Sequence, residues 1–100
     1  MFNEKVYSLC KKIPFGMVSS YGNIASALGC KAYRAVGNAL NNNPYKDVPC
    51  FKVVKSDGSL GGFALGSKEK IRRLSKEGIL VKNGKIVDFE KKLYRFKQTT

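Results

Sequence analysis

Asn23-Ile24-Ala25-Ser26-Ala27-Leu28-Gly29-Cys30-Lys31-Ala32-Tyr33-Arg34-Ala35-Val36-Gly37-Asn38-Ala39-Leu40-Asn41-Asn42 holds two helical patterns separated by a glycine. In the first, Asn23 is a good N-cap, Ile24, Ala25 and Leu28 share one side, and Gly29 supplies the stop. In the second, over residues 31–42, Ala32, Ala35, Val36, Ala39 and Leu40 follow the spacing of a buried stripe. At roughly 100° per residue, Arg34, Gly37, Asn38 and Asn41 gather on the opposite side. Two short helices around a tight turn, the second with arginine and asparagine outward, read as a helix-turn-helix. Those side chains hydrogen-bond base edges and phosphates, and a glycine among them lets the backbone approach closely. Arg34, Gly37, Asn38 and Asn41 are therefore the candidate DNA-binding residues. A merely solvated amphipathic helix has the same periodicity, and the charge of the chain separates the two readings.

That charge is strongly positive: 19 Lys and Arg against 7 Asp and Glu leave +12 over 100 residues, so a polyanion is the expected partner. With 43% hydrophobic and 26% charged residues, the composition is that of a folded, soluble protein with one modest core, and the length suits a single domain over residues 1–100. No apolar run is long enough to span a membrane, and the first fifteen residues lack the apolar block of a signal peptide, which points to the cytoplasm. Histidine is absent, so imidazole bases and histidine metal sites are excluded. Cys10, Cys30 and Cys50 are too few and too scattered for a disulfide framework or a metal site, and no cofactor motif is present.

Outward from the helix pair, Phe2, Val6, Leu9, Cys10 and Ile13 make the stripe of a first helix that ends at Pro14 and Gly16, with Cys10 as a core residue. Residues 17–21 read as extended or turn-like. Pro49-Cys50-Phe51-Lys52-Val53-Val54 reads as a turn leading into a short strand, and Ser56-Asp57-Gly58 as a turn. Residues 61–66 form a mobile, glycine-bounded loop. Ser67 caps a helix to about residue 76, with Ile71 and Leu74 inward and Gly78 as its end. Asn83-Gly84 between two short apolar runs is a hairpin signal. The basic stretch 91–97 keeps Leu93, Tyr94 and Phe96, enough for part of it to dock.

Four blocks, in order and in register, carry a resemblance to a known family: Ile13-Pro14-Phe15-Gly16 through Tyr21; Arg34-Ala35-Val36-Gly37-Asn38-Ala39; Asn43-Pro44 leading to Pro49-Cys50-Phe51-Lys52-Val53-Val54; and Gly61-Gly62-Phe63 through Lys76-Glu77-Gly78. Over roughly residues 7–96 the chain resembles the DNA-binding, active-site domain of the O6-alkylguanine-DNA alkyltransferases and their alkyltransferase-like relatives. The resemblance implies a mostly α fold with small β elements: a winged-helix-like helix-turn-helix domain with a short C-terminal hairpin. It implies a suicide reaction on double-stranded DNA containing O6-alkylguanine. The recognition helix would enter the minor groove, Arg34 would replace the extruded guanine, and Cys50 would accept the alkyl group. Tyr21 would push on the phosphate of the rotating nucleotide, Asn43 would hold the active-site turn, and Glu77 would anchor the hydrogen-bond network behind the thiol. Backbone groups at Cys50 and Val53, with Gly62, Phe63, Ala64 and Leu65, would surround the flipped base. Flipping costs a few kcal/mol and needs a filler, a positive groove and a snug pocket, so the residue-level reading agrees.

Two departures matter. The family signature is Pro-Cys-His-Arg-Val, and here Phe51 stands at the histidine position, which breaks the usual proton relay. Glu77 facing Cys50 without an intervening base would raise the thiol pKa unless water or positive charge compensates. Even an unperturbed thiol, at about 8.5, is a few per cent thiolate at neutral pH, a penalty of roughly 2 kcal/mol that slows a single-turnover reaction without abolishing it. The family's N-terminal domain is absent from these 100 residues, a length typical of the alkyltransferase-like branch, yet that branch usually replaces the acceptor cysteine retained here as Cys50. The expected function is thus alkyl transfer to Cys50. The alternative is a non-enzymatic lesion sensor that recruits other repair proteins, and a plain helix-turn-helix regulator comes third. Regulators commonly bind as dimers, and no spare dimer helix is evident, so a monomer located at the nucleoid is expected.

Overall fold

The computed structural model describes residues 2–63 and 65–96. Its first helix, α1 (Phe2–Lys11), buries Val6, Tyr7 and Cys10 and stops before Pro14, as the apolar spacing requires. A two-residue strand, β1 (Ser19–Ser20), leads directly into α2 (Tyr21–Ala27). The cap of α2 is Ser20 and not Asn23: Ser20 is extended, at φ −116° and ψ 157°, and its Oγ accepts from the Asn23 amide at 3.0 Å. Strand pairing holds Ser20 in the N-cap conformation, so the helix begins three residues earlier than the asparagine suggests. Gly29, at φ +73°, ends the turn before α3 (Tyr33–Asn41), which buries Val36, Ala39 and Leu40. Helices α1, α2 and α3 pack on one another around the larger apolar cluster, with Tyr7 Oη donating to the Ala39 carbonyl at 2.7 Å.

After the connection from α3, Cys50–Lys52 forms a single 3-10 turn that runs into β2 (Val53–Val54). Strand β2 pairs parallel with β1, Ser19 opposite Val53 and Ser20 opposite Val54. This short ladder fixes the Cys50 turn against the entry to α2. A second cluster of Val18, Val54, Leu60, Leu74, Ile79 and Ile86 lies beneath α4 (Ser67–Ser75). Gly66, at φ +93°, precedes α4, so Ser67 is its first helical residue and not a side-chain cap. Ile71 also departs from expectation, being 37% exposed, while Lys70 and Leu74 take the buried positions one turn apart. Lys70 can point inward because three backbone carbonyls receive its ammonium.

The hairpin of β3 (Val81–Lys82) and β4 (Lys85–Ile86) turns at Asn83 and Gly84, both with positive φ, as the Asn-Gly pair requires. A last turn of helix, α5 (Phe89–Lys92), delivers Tyr94 and Phe96 to the larger cluster, and the Tyr94 amide donates to the Val18 carbonyl at 2.7 Å. The expected docking of the basic stretch therefore holds as far as Phe96, and Lys97 lies outside the described residues. The architecture is mostly helical with small sheets and a C-terminal hairpin.

Ser20→Ala removes one cap hydrogen bond and should cost about 1 kcal/mol. Thermal melts should show a Tm lower by roughly 4–8 °C, and an unchanged Tm would mean that the β1–β2 ladder alone starts α2.

Candidate functional site

Cys50 sits half-buried where the loop from α3 closes. Asn43 builds that closure: its Nδ2 donates to the Tyr45 carbonyl at 3.0 Å and to the Val48 carbonyl at 3.4 Å, while its Oδ1 accepts from the Tyr45 amide at 2.9 Å. Pro49 then starts the 3-10 turn, and Cys50 opens onto a cavity of about 530 Å³. Asn41 and Asn43 enter the wall from the α3 side, Tyr45 and Lys46 from the loop, and Phe63, Leu65 and Arg73 from beyond the glycines. The guanidinium of Arg73 lies 5.5 Å from the centre of the Phe63 ring and binds Glu69 at 2.7 Å. Val53 is fully buried, so it offers the cavity no side chain, and Ala64 lies outside the described residues.

Behind the turn, the charge of Glu77 is taken by a lysine. Lys52 Nζ lies 2.8 Å from Glu77 Oε1, with side-chain exposures of 3% and 15%, and also donates to the carbonyls of Ile13 and Pro14. The same Glu77 oxygen accepts from the Gly16 amide at 2.9 Å. Glu77 is therefore paired with Lys52 and the Gly16 amide, and is not the uncompensated anion that the sequence alone set against the thiol. Phe51, partly buried, packs against the second apolar cluster, so the position at which the resemblance expects histidine holds an apolar side chain.

Tyr21, first residue of α2, reaches across to the glycine loop, with Oη 3.4 Å from the Gly62 carbonyl. A side chain at Gly61, where φ is +69°, would place its Cβ 2.9 Å from that hydroxyl, so only glycine fits. Burial, and secondarily the charge of Cys50, pushes the Tyr21 phenol up from its usual value. Cys10, fully buried on α1, is pushed up to about 12 by burial, which makes it a core thiol. On α3, Arg34, Asn38 and Asn41 are exposed together, and the Cβ position of Gly37 faces open space. Asn41 links this face to the cavity of Cys50. No group of three or more metal-ligating side chains occurs among the described residues.

Reading the sequence missed Lys70, whose only signal is a lysine one turn before the buried Leu74. It also missed Tyr45, Lys46 and Arg73, which come to the cavity from loop closure and not from any motif.

The profile of the family described as 6-O-methylguanine DNA methyltransferase, DNA binding domain, matches residues 1–79. A "Bifunctional methyltransferase/endonuclease" of Picrophilus torridus is 54% identical over 93 residues, covering 91% of this chain and 30% of that protein. A methylated-DNA--protein-cysteine methyltransferase of Methanosarcina acetivorans is 43% identical over 79 residues, covering 77% of this chain and 51% of its own length. The chain thus spans about half or less of these curated relatives. Among solved structures, S. pombe Atl1 in complex with damaged DNA containing O6-carboxymethylguanine superposes with a TM-score of 0.83 at 29% identity, covering 94% of both chains.

Glu77→Ala leaves Lys52 buried without its anion and frees the Gly16 amide. Urea unfolding should show a loss of about 3 kcal/mol, and a loss well under 1 kcal/mol would mean that the pair is not needed to hold the turn.

Proposed function

The chain belongs to the family of the 6-O-methylguanine DNA methyltransferase DNA-binding domain, and from that membership we propose that it repairs DNA by taking the alkyl group of O6-alkylguanine onto Cys50. The observation that carries this reading is the seat of Cys50: a half-buried thiol at the head of a turn, in the wall of a cavity of about 530 Å³, beside a helix that turns Arg34 and two asparagines outward. Helix α3 enters the minor groove of double-stranded DNA, Arg34 fills the place of the extruded guanine, and Tyr21 at the start of α2 bears on the phosphate of the turned nucleotide. Gly37, Asn38 and Asn41 line the groove contact. Gly62, Phe63, Ala64 and Leu65, with backbone at Cys50 and Val53, surround the base.

In the transfer step Cys50 gives its thiol proton to solvent and its sulfur attacks the alkyl carbon. The carbon–O6 bond breaks with its electron pair going to the purine, and the purine takes a proton at N1. Guanine is restored and a thioether remains, so each molecule reacts once. Asn43 keeps the thiol at the head of its turn, and Glu77, held by Lys52, fixes that turn from behind. The step needs no cofactor.

A second reading is a lesion sensor with an inert Cys50. Two observations favour it: Phe51 at the relay position, and coverage of 94% of both chains against Atl1, whose solved complex holds damaged DNA. The name of the Picrophilus relative points to an endonuclease as the class of repair partner. In either reading the protein works as a monomer in the cytoplasm, on the nucleoid.

The test is on the DNA. A duplex with O6-methylguanine inside a restriction site becomes cleavable only when guanine is restored. One equivalent of protein should convert one equivalent of duplex, and Cys50→Ser should convert none; binding without conversion by the unmodified chain selects the sensor. Arg34→Ala should weaken lesion binding far more than loss of one phosphate contact, and equal binding and flipping would remove Arg34 from the assignment. Phe51→His should speed conversion, and an unchanged rate would mean that another group activates the thiol.

A further inference from the structure

The loop between α3 and the Cys50 turn is fastened at its backbone and loose at one side chain. Asn43 takes both backbone groups of Tyr45, accepting from its amide at 2.9 Å and donating to its carbonyl at 3.0 Å, and the pair of Lys11 and Asp47 at 2.8 Å ties the same loop to α1. The Tyr45 ring reaches back to α1, where its hydroxyl donates to Glu4 Oε1 at 3.2 Å. There it also packs edge-to-face with Tyr7, ring centres 5.6 Å apart and planes at 77°. Tyr7 is buried and its own hydroxyl is held by the Ala39 carbonyl at 2.7 Å, so of the two rings Tyr45, at 45% exposed, is the one that can turn.

That ring stands between two cavities. One is the cavity of about 530 Å³ onto which Cys50 opens, and the other, of about 340 Å³, lies between α1 and the loop. Among the described residues Tyr45 and Val48 line both, and Val48 is buried in the larger apolar cluster, which leaves Tyr45 as the movable part of the shared wall. The hydrogen bond that holds it joins exposed groups that water can satisfy equally well, so its rupture costs little. When the ring turns out to solvent, the slot it leaves is faced by Tyr7, a surface that packs another aromatic ring.

We propose that Tyr45 decides which O6 substituents the site takes. Glu4 latches its ring in the wall, and release of the latch joins the second cavity to the first and admits an arylmethyl group, whose ring takes the place of Tyr45 against Tyr7. Small alkyl groups fit with the latch closed, whereas aryl-bearing adducts must open it. Opening gives up the Glu4 hydrogen bond and the edge-to-face contact, and the incoming ring restores the contact, so the hydrogen bond sets the discrimination. The assignment rests on a flipped O6-alkylguanine occupying the Cys50 cavity, as in the function proposed above, and not on transfer to Cys50.

The test measures binding by the Cys50→Ser chain, so that no transfer depletes the complex. Labelled duplexes carrying O6-methylguanine, O6-benzylguanine or guanine at the same position are titrated, and the readout is the ratio of benzyl to methyl affinity. Glu4→Ala, at an exposed position in the first turn of α1, should raise that ratio about threefold to tenfold, as expected when the closed state loses one hydrogen bond. Tyr45→Phe should raise it equally, and the double variant no further than either single one, since both remove the same bond. Tyr45→Ala, which removes the ring itself, should raise it at least as much. An unmoved ratio for Glu4→Ala and Tyr45→Phe, or effects that add, in a chain that still prefers a lesion to guanine overturns the proposal and leaves the repair reading in place. If neither lesion is bound more tightly than guanine, the repair reading fails and the role of Tyr45 with it.

Discussion

The ion pair of Lys52 and Glu77 holds three distant parts of the chain at one point. Lys52 belongs to the turn that begins with Cys50, Glu77 follows α4, and their remaining hydrogen bonds go to Ile13, Pro14 and Gly16, the connection out of α1. A buried pair gains little over apolar packing, but either partner alone would be a buried charge, so the arrangement specifies one geometry more than it adds stability. The geometry it specifies is the seat of the thiol. From there the two-residue parallel ladder carries the constraint to Ser20 and the start of α2, and thence to Tyr21.

The same pair explains how the site accommodates phenylalanine in place of histidine. With Glu77 neutralised by Lys52, the carboxylate needs no imidazole partner, and Phe51 can pack into the second cluster. An apolar side chain there gains packing against that cluster.

Helical spacing made α1 and α3 readable, because Val6, Cys10, Val36, Ala39 and Leu40 are buried by the periodicity that identified them. Asn83-Gly84 likewise determines its hairpin locally, through positive φ at both residues. Where long-range contacts decide, the residues alone did not: Ser20 caps α2 because β2 pairs with the strand that contains it, and Lys70 displaces Ile71 from the core because carbonyls of the strand and the glycine loop converge on it. Cys50, Asn43 and Glu77 were singled out by resemblance, whereas the contacts that hold them in place were not legible in the sequence. That Lys52 would hold Glu77 follows from the path of the chain between α1 and β1, which no local pattern encodes.

The central claim is that Cys50 is a working alkyl acceptor without a histidine. Intact-protein mass spectrometry after incubation with DNA containing O6-methylguanine, followed by peptide mapping, addresses it most directly. The account predicts one methyl group in place of one thiol proton, located on Cys50 and on neither Cys10 nor Cys30. An unmodified mass for a chain that binds the lesion tightly would contradict it.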